Sequence, residues 1–190
     1  MWNNVAPRRP KSAYRFYESQ IQRCCDAHHW AMIARMDKLD RRILELLQKN
    51  GALTAAEIAE RVGLSKVPCW RRIRRMQETG IIKHIVAVLD AKALNVGTTV
   101  FVMLKTGNHS AAWFERFQKA VRDIPEITEI YRMSGDVDYL MRVVVPDIDA
   151  YDLVYKKLIA SIELLDVSAS FALETIKSTT ALPLHYAKAE

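Results

Sequence analysis

Residues 65–76, SKVPCWRRIRRM, gather the groups best able to do chemistry in this chain. Four guanidinium side chains, Arg71, Arg72, Arg74 and Arg75, fall within five residues. In an α-helix each residue advances about 100° around the axis. Cys69, Ile73 and Met76 would then line one face, with Val67, Arg71, Arg74 and Arg75 on the other. Such a helix can pack its apolar back on a small domain and offer its front to a DNA groove, where arginine bonds bidentately to guanine O6 and N7. An isolated charge run describes a solvated helix face equally well, so the surroundings must decide. Other chemistry is poorly supplied. His84, His109 and His185 are scattered, and no Ser/His/Asp, Cys/His or paired-carboxylate constellation stands out. Cys24, Cys25 and Cys69 have no zinc-ligand spacing and read as reduced thiols, Cys69 as a small core residue. His28 and His29 lack a partner cluster. The expectation is no catalytic residue, no metal and no cofactor.

The elements that must position this segment are legible from Met36 onward. Leu39, Ile43, Leu46 and Leu47 recur at helical spacing, and Asn50-Gly51 ends that helix. Thr54-Ala-Ala-Glu57 is a capping box for a second helix that buries Ile58, Ala59 and Val62 and stops at Gly63. Ser65 should cap the third helix, with Pro68 tolerated in its first turn and an end near Thr79-Gly80. Helix, glycine turn, helix is the helix-turn-helix pattern. The following IIKHIVAVLD is β-rich and predicts a strand, either a wing or a linker.

Charge divides the chain in the same way. Residues 1–35 carry net +4 (6 basic, 2 acidic), residues 36–95 +5 (12 against 7) and residues 96–190 −3 (10 against 13). A basic first half joined to an acidic second half suggests a polyanion-binding module tied to something else. Nothing approaches the roughly 18 to 20 apolar residues of a membrane span, and the N-terminus lacks the apolar core of a secretory signal. The expected location is the cytoplasm, on the nucleoid. Residues 1–35 read as a disordered or partly helical arm, dispensable or left by an upstream start codon.

The second half changes rhythm. Strands are expected at 98–105, 127–132, 137–145 and 166–176. Helices are expected at 110–121, with Trp113, Phe114 and Phe117 inward, and at 149–162, with Tyr151, Val154, Tyr155 and Leu158 inward. The order βαββαβ is the ferredoxin-like arrangement, four antiparallel strands with both helices on one face. Its other face would carry Phe101, Met103, Tyr131 and Met141. Either a partner covers that patch or the linker or tail covers it in cis; self-association is the favoured reading. The fold class is therefore α+β: a winged helix-turn-helix over 36–82, a β-linker over 83–95, a ferredoxin-like ligand-sensing domain over 96–180 and a tail over 181–190.

Four motifs in register carry a resemblance: MDKLDRRILELLQKNG, LTAAEIAERVGLSKVPCWRRIRRMQETGII, YRMSGDVDYLMRVVVPD and SFALETIKSTTALPL. The chain resembles the Lrp/AsnC family of bacterial transcriptional regulators over residues 36 to about 186. PCWRR, YRMSGDVDYLMRV and ALETIKSTTALPL are most similar to its cysteine-responsive branch. The resemblance implies double-stranded DNA as partner, homodimers through the sheet domains, and octamers or larger even assemblies. It also implies a small amino-acid effector, cysteine among the candidates, near Ser134-Gly135-Asp136. The arm at 1–35 departs from the family pattern.

Roles can then be assigned. Insertion by the N-terminal part of the third helix puts Lys66, Val67, Trp70 and Arg71 nearest bases or sugars, with Ser65 at its start. Arg72, Arg74 and Arg75 lean toward phosphate. Trp70 is equally placed to pack on its own domain, and Thr54 could meet a phosphate or simply cap. Backbone groups around Ser134 and Gly135, with the charges of Asp136 and Asp138, could hold an amino acid's carboxylate and ammonium, with Tyr139 beside them. Ser-Gly-Asp is also simply a good turn, and Tyr139 reads equally as a core residue. The alternative function is an architectural DNA-binding protein that answers to no effector.

Overall fold

The computed structural model describes residues 36–187. They form two compact units. One combines residues up to Ala87 with those from Thr179 onward; the other is Val88–Ser178. The arm expected at residues 1–35 lies outside the described residues.

The first unit holds three helices: α1 (Lys38–Lys49), α2 (Ala55–Val62) and α3 (Lys66–Glu78). The Asp37 side chain caps α1 by accepting the Asp40 N–H, and the Asp40 carboxylate accepts the Asp37 N–H in return. Thr54 and Glu57 make the same reciprocal pair at α2, which ends at Gly63 with φ 74°, a left-handed geometry glycine adopts without a Cβ penalty. Ile43, Leu44, Ile58, Ala59, Val62, Cys69 and Met76 close the core.

Ser65 stands at the N-cap of α3, but its side chain makes no capping hydrogen bond, contrary to expectation. The reason is local. The N3 position is Pro68, which has no N–H to give.

The tail belongs to this unit, which the sequence did not foretell. Leu184 and Ala187 pack against the three-helix core. The Gln48 carboxamide accepts the Leu182 N–H (2.6 Å) and donates to the Leu182 carbonyl (3.3 Å), while Arg41 donates to the Ala187 carbonyl (2.6 Å).

The second unit runs β1 (Thr98–Lys105), α4 (Ala111–Arg122), β2 (Ile127–Arg132), β3 (Tyr139–Val145), α5 (Ile148–Ser161) and β4 (Asp166–Phe171). The strands pair antiparallel in the order β2-β3-β1-β4, the ferredoxin-like topology. Val100, Val102, Leu104, Met141, Val143 and Val145 pack one sheet face against Trp113, Phe117, Val121, Val154 and Leu158 of the helices.

Three expectations change. Met141 is buried in this core rather than on the outer face. LMRVVV is apolar at almost every position, so alternation alone cannot set its phase. The last strand stops at Phe171, short of 176. Residues 81–90 form no strand, because no ladder partner pairs with them among the described residues; Val86, Val88 and Leu89 stay exposed. The outer sheet face remains open, with Phe101 exposed and Tyr131 donating to Glu129, which also takes Arg142.

Candidate nucleic-acid interface and ligand turn

Two faces of α3 have opposite fates. Cys69 and Met76 are completely buried, and burial pushes the Cys69 thiol pKa up. Val67 and Trp70 are 57% and 51% exposed, so the Trp70 ring is not packed into its domain. The Arg74 guanidinium lies over that ring, 5.9 Å from its centre, and pairs with Glu78 at 2.9 Å. Lys66 and Arg71 are exposed and have no acidic partner within ion-pair distance among the described residues.

The four arginines are therefore not equivalent. Asp40, wholly buried under α3, accepts Arg72 at 2.8 Å and Arg75 at 2.5 Å, and Arg72 also reaches Asp37 at 2.6 Å. The sequence leaned Arg72 and Arg75 toward phosphate, but the structure draws both back onto α1. Arg72 is tethered by two carboxylates at 26% side-chain exposure; Arg75 keeps 49% and only one such bond. A sharper signal existed in the sequence: two aspartates three apart at the start of α1 need donors from the facing helix. Thr54 is committed to its cap, its hydroxyl bonded to Glu57 at 2.7 Å.

In the second unit, Ser134, Gly135 and Asp136 form an exposed turn between β2 and β3, and Gly135 has φ 117°, a conformation L side chains rarely adopt. Bonds from the Met133 N–H to the Asp138 carbonyl (2.8 Å) and from the Asp138 N–H to the Leu104 carbonyl (3.0 Å) close the turn's base. Two residues grouped with this turn from sequence face elsewhere. The Asp138 carboxylate is buried and accepts the Thr106 N–H at 2.9 Å, fastening the turn to the end of β1. Tyr139 is buried against Trp113 and Phe117, with ring centres 5.9 and 4.6 Å away. It also walls a cleft of about 500 Å³ between α4 and β2, which Gln118, Arg122, Ile130 and Arg132 help to line. The cleft leaves no local pattern in the sequence, because its walls come from separate elements of the chain. No cluster of three or more metal-ligating side chains occurs among the described residues, and no helix there is long and apolar enough to cross a membrane.

A capped helix-turn-helix with a cationic front helix, joined to a separate βαββαβ unit, is the architecture of a two-part DNA-binding protein. Residues 36–83 match the winged helix-turn-helix DNA-binding family, and residues 99–182 match the Lrp/AsnC ligand binding domain. The chain belongs to the Lrp/AsnC family of transcriptional regulators. It is 44% identical over 153 residues to the glutamate uptake regulatory protein of Zymomonas mobilis, covering 80% of this chain and 93% of that protein. It is 45% identical over 150 residues to the DNA-binding transcriptional activator DecR of Escherichia coli K12, covering 78% and 99%. Among solved structures, an AsnC family transcriptional regulator from Agrobacterium tumefaciens is 56% identical with a TM-score of 0.77, covering 80% and 99%. The NMB0573/L-Met complex from Neisseria meningitidis is 35% identical with a TM-score of 0.75, covering 80% and 98%. These relatives are regulators, not enzymes.

Proposed function

We propose that this regulator lays α3 in the major groove of its operator and that a small amino acid alters its DNA affinity or assembly. The observation that carries the reading is the division of α3 into a locked back and a free front. Arg71 is the base reader, with Lys66, Val67 and Trp70 beside it. Arg74 and the exposed part of Arg75 hold phosphate, and Arg72 holds the helix in place. The uncapped amides at the start of α3, with the Ser65 hydroxyl, offer donors to a phosphate; Thr54 serves mainly as a cap.

The open outer sheet face supports a homodimer built through Phe101, Met103, Leu140 and Tyr131, and exposed residues 83–90 offer a further strand to the partner. Dimers would assemble further into octamers or larger even rings, in the cytoplasm on the nucleoid. We put the effector at Ser134, Gly135 and Asp136; the resemblance and the exposed backbone of that turn support it. The L-Met complex of the meningococcal relative supports an amino acid, and the sequence motifs favour cysteine as the first to test.

The deciding experiment has two arms. Changing Arg71 and Arg74 to Ala should abolish operator binding in fluorescence anisotropy while leaving the assembly intact in size exclusion; retained binding would exclude this face. Isothermal titration with cysteine, methionine and other amino acids should show one binder that also shifts DNA affinity or assembly. DNA binding with no amino-acid response would favour the architectural alternative.

A further inference from the structure

Two apolar side chains stand on the front of α3 where a plain solvated helix would carry polar ones. Val67 and Trp70 are more than half exposed, although the unit's core is closed without them. Both lie in the N-terminal half of the helix, between Lys66 and Arg71, in a segment of net charge +5 over residues 36–95. Charge complementarity therefore makes the occupant of this face a polyanion, which is the reading the inference rests on.

Neither aliphatic carbons nor an indole face can hydrogen-bond a base edge. The major groove presents one apolar group, the thymine C5-methyl. Valine suits that contact, because its branched side chain has one strongly preferred rotamer in a helix and loses little freedom on binding. The Arg74 guanidinium lies over one face of the Trp70 ring, which favours that placement of the indole on the same exposed half of the helix as Val67.

We infer that Val67 is a specificity residue that reads a thymine methyl, with Trp70 closing the side of that contact. Val67 and Arg71 lie one turn apart on one face, a rise of about 6 Å. At roughly 3.4 Å per base step, that spacing covers one to two steps. The operator half-site should thus carry a thymine one or two positions from the guanine that Arg71 reads.

The test starts from duplexes enriched by the full chain from a random-sequence pool. Each thymine of the enriched half-site is changed singly to deoxyuridine, which removes the methyl and alters no hydrogen-bonding group. Affinity is read by fluorescence anisotropy at fixed salt. One position near the guanine should lose about four-fold, the scale of one buried methyl. The Val67→Ala protein should bind the thymine duplex about as weakly as the parent binds the deoxyuridine one, and should not distinguish the two. Val67 is exposed and alanine favours helix, so this variant keeps its fold. Enriched duplexes with no deoxyuridine-sensitive position would overturn the inference, as would a sensitivity that survives in Val67→Ala. A pool that yields no enrichment would instead remove the operator reading itself, and the inference with it.

Discussion

Asp40 is a buried carboxylate placed under a cationic helix, and it converts four equivalent-looking arginines into two classes. Removing Arg72 leaves that carboxylate in the core with one donor fewer, a loss of about 1–3 kcal/mol. Removing Arg74 breaks only an exposed pair with Glu78, worth under about 1 kcal/mol. Denaturant unfolding of Arg72→Ala and Arg74→Ala should therefore separate the two clearly, and DNA affinity should rank them in the opposite order for their share of direct contact. The same network sets a pH response. Burial pushes the Asp37 carboxyl up, but the Asp40 amide and the Arg72 guanidinium outweigh it and hold the pKa below its usual 3.8. A carboxyl lowered on folding contributes stability that is full above its ordinary value and lost as pH falls through the lowered one. Unfolding free energy measured from pH 6 downward should drop most below about pH 4, and Arg72→Ala should flatten that part of the curve.

At the scale of elements, caps and turns carry the next predictions. The amide and hydroxyl of Thr54 hold the Glu57 carboxyl below its usual 4.5, so the box at α2 persists above that value and opens in acid. Thr54→Ala should cost about 1 kcal/mol in thermal unfolding at neutral pH. Gly135→Ala should strain the turn between β2 and β3 by about 1–3 kcal/mol; if the proposed effector site lies there, it should also weaken the calorimetric response to an amino acid and leave DNA binding without one unchanged. The three helices were legible because their apolar spacing, capping boxes and stop glycines all act within a few residues. The same holds for the order βαββαβ and for the Gly135 turn. The phase of β3 was not legible, since an all-apolar strand reads the same on either face. The strand expected at 81–90 did not form, since a ladder depends on a partner that periodicity cannot supply. The Gln48–Leu182 clamp spans 134 residues and leaves no local pattern at either end. At the candidate site, the apolar and cationic faces of α3 followed from the wheel. The retreat of Arg72 and Arg75 did not, because it depends on what α1 places opposite them.

For the whole molecule, the open sheet face is the feature most exposed to test. Phe101→Asp should shift sedimentation toward a smaller species while circular dichroism stays unchanged, because Phe101 points away from the core. A dimer would carry two α3 helices, so operator affinity should fall steeply with salt and show two related half-sites. The tail gives the chain a further property. Residues on both sides of the ligand-binding unit build the DNA-binding unit, with Leu184 and Ala187 packed against its core. During synthesis the three helices emerge early, yet their last packing partners arrive only after β4 has been made. A chain interrupted within the ligand-binding unit would carry the three helices without the contacts of Leu182, Leu184 and Ala187. The order of synthesis thus places the last contacts of the first unit after the whole of the second.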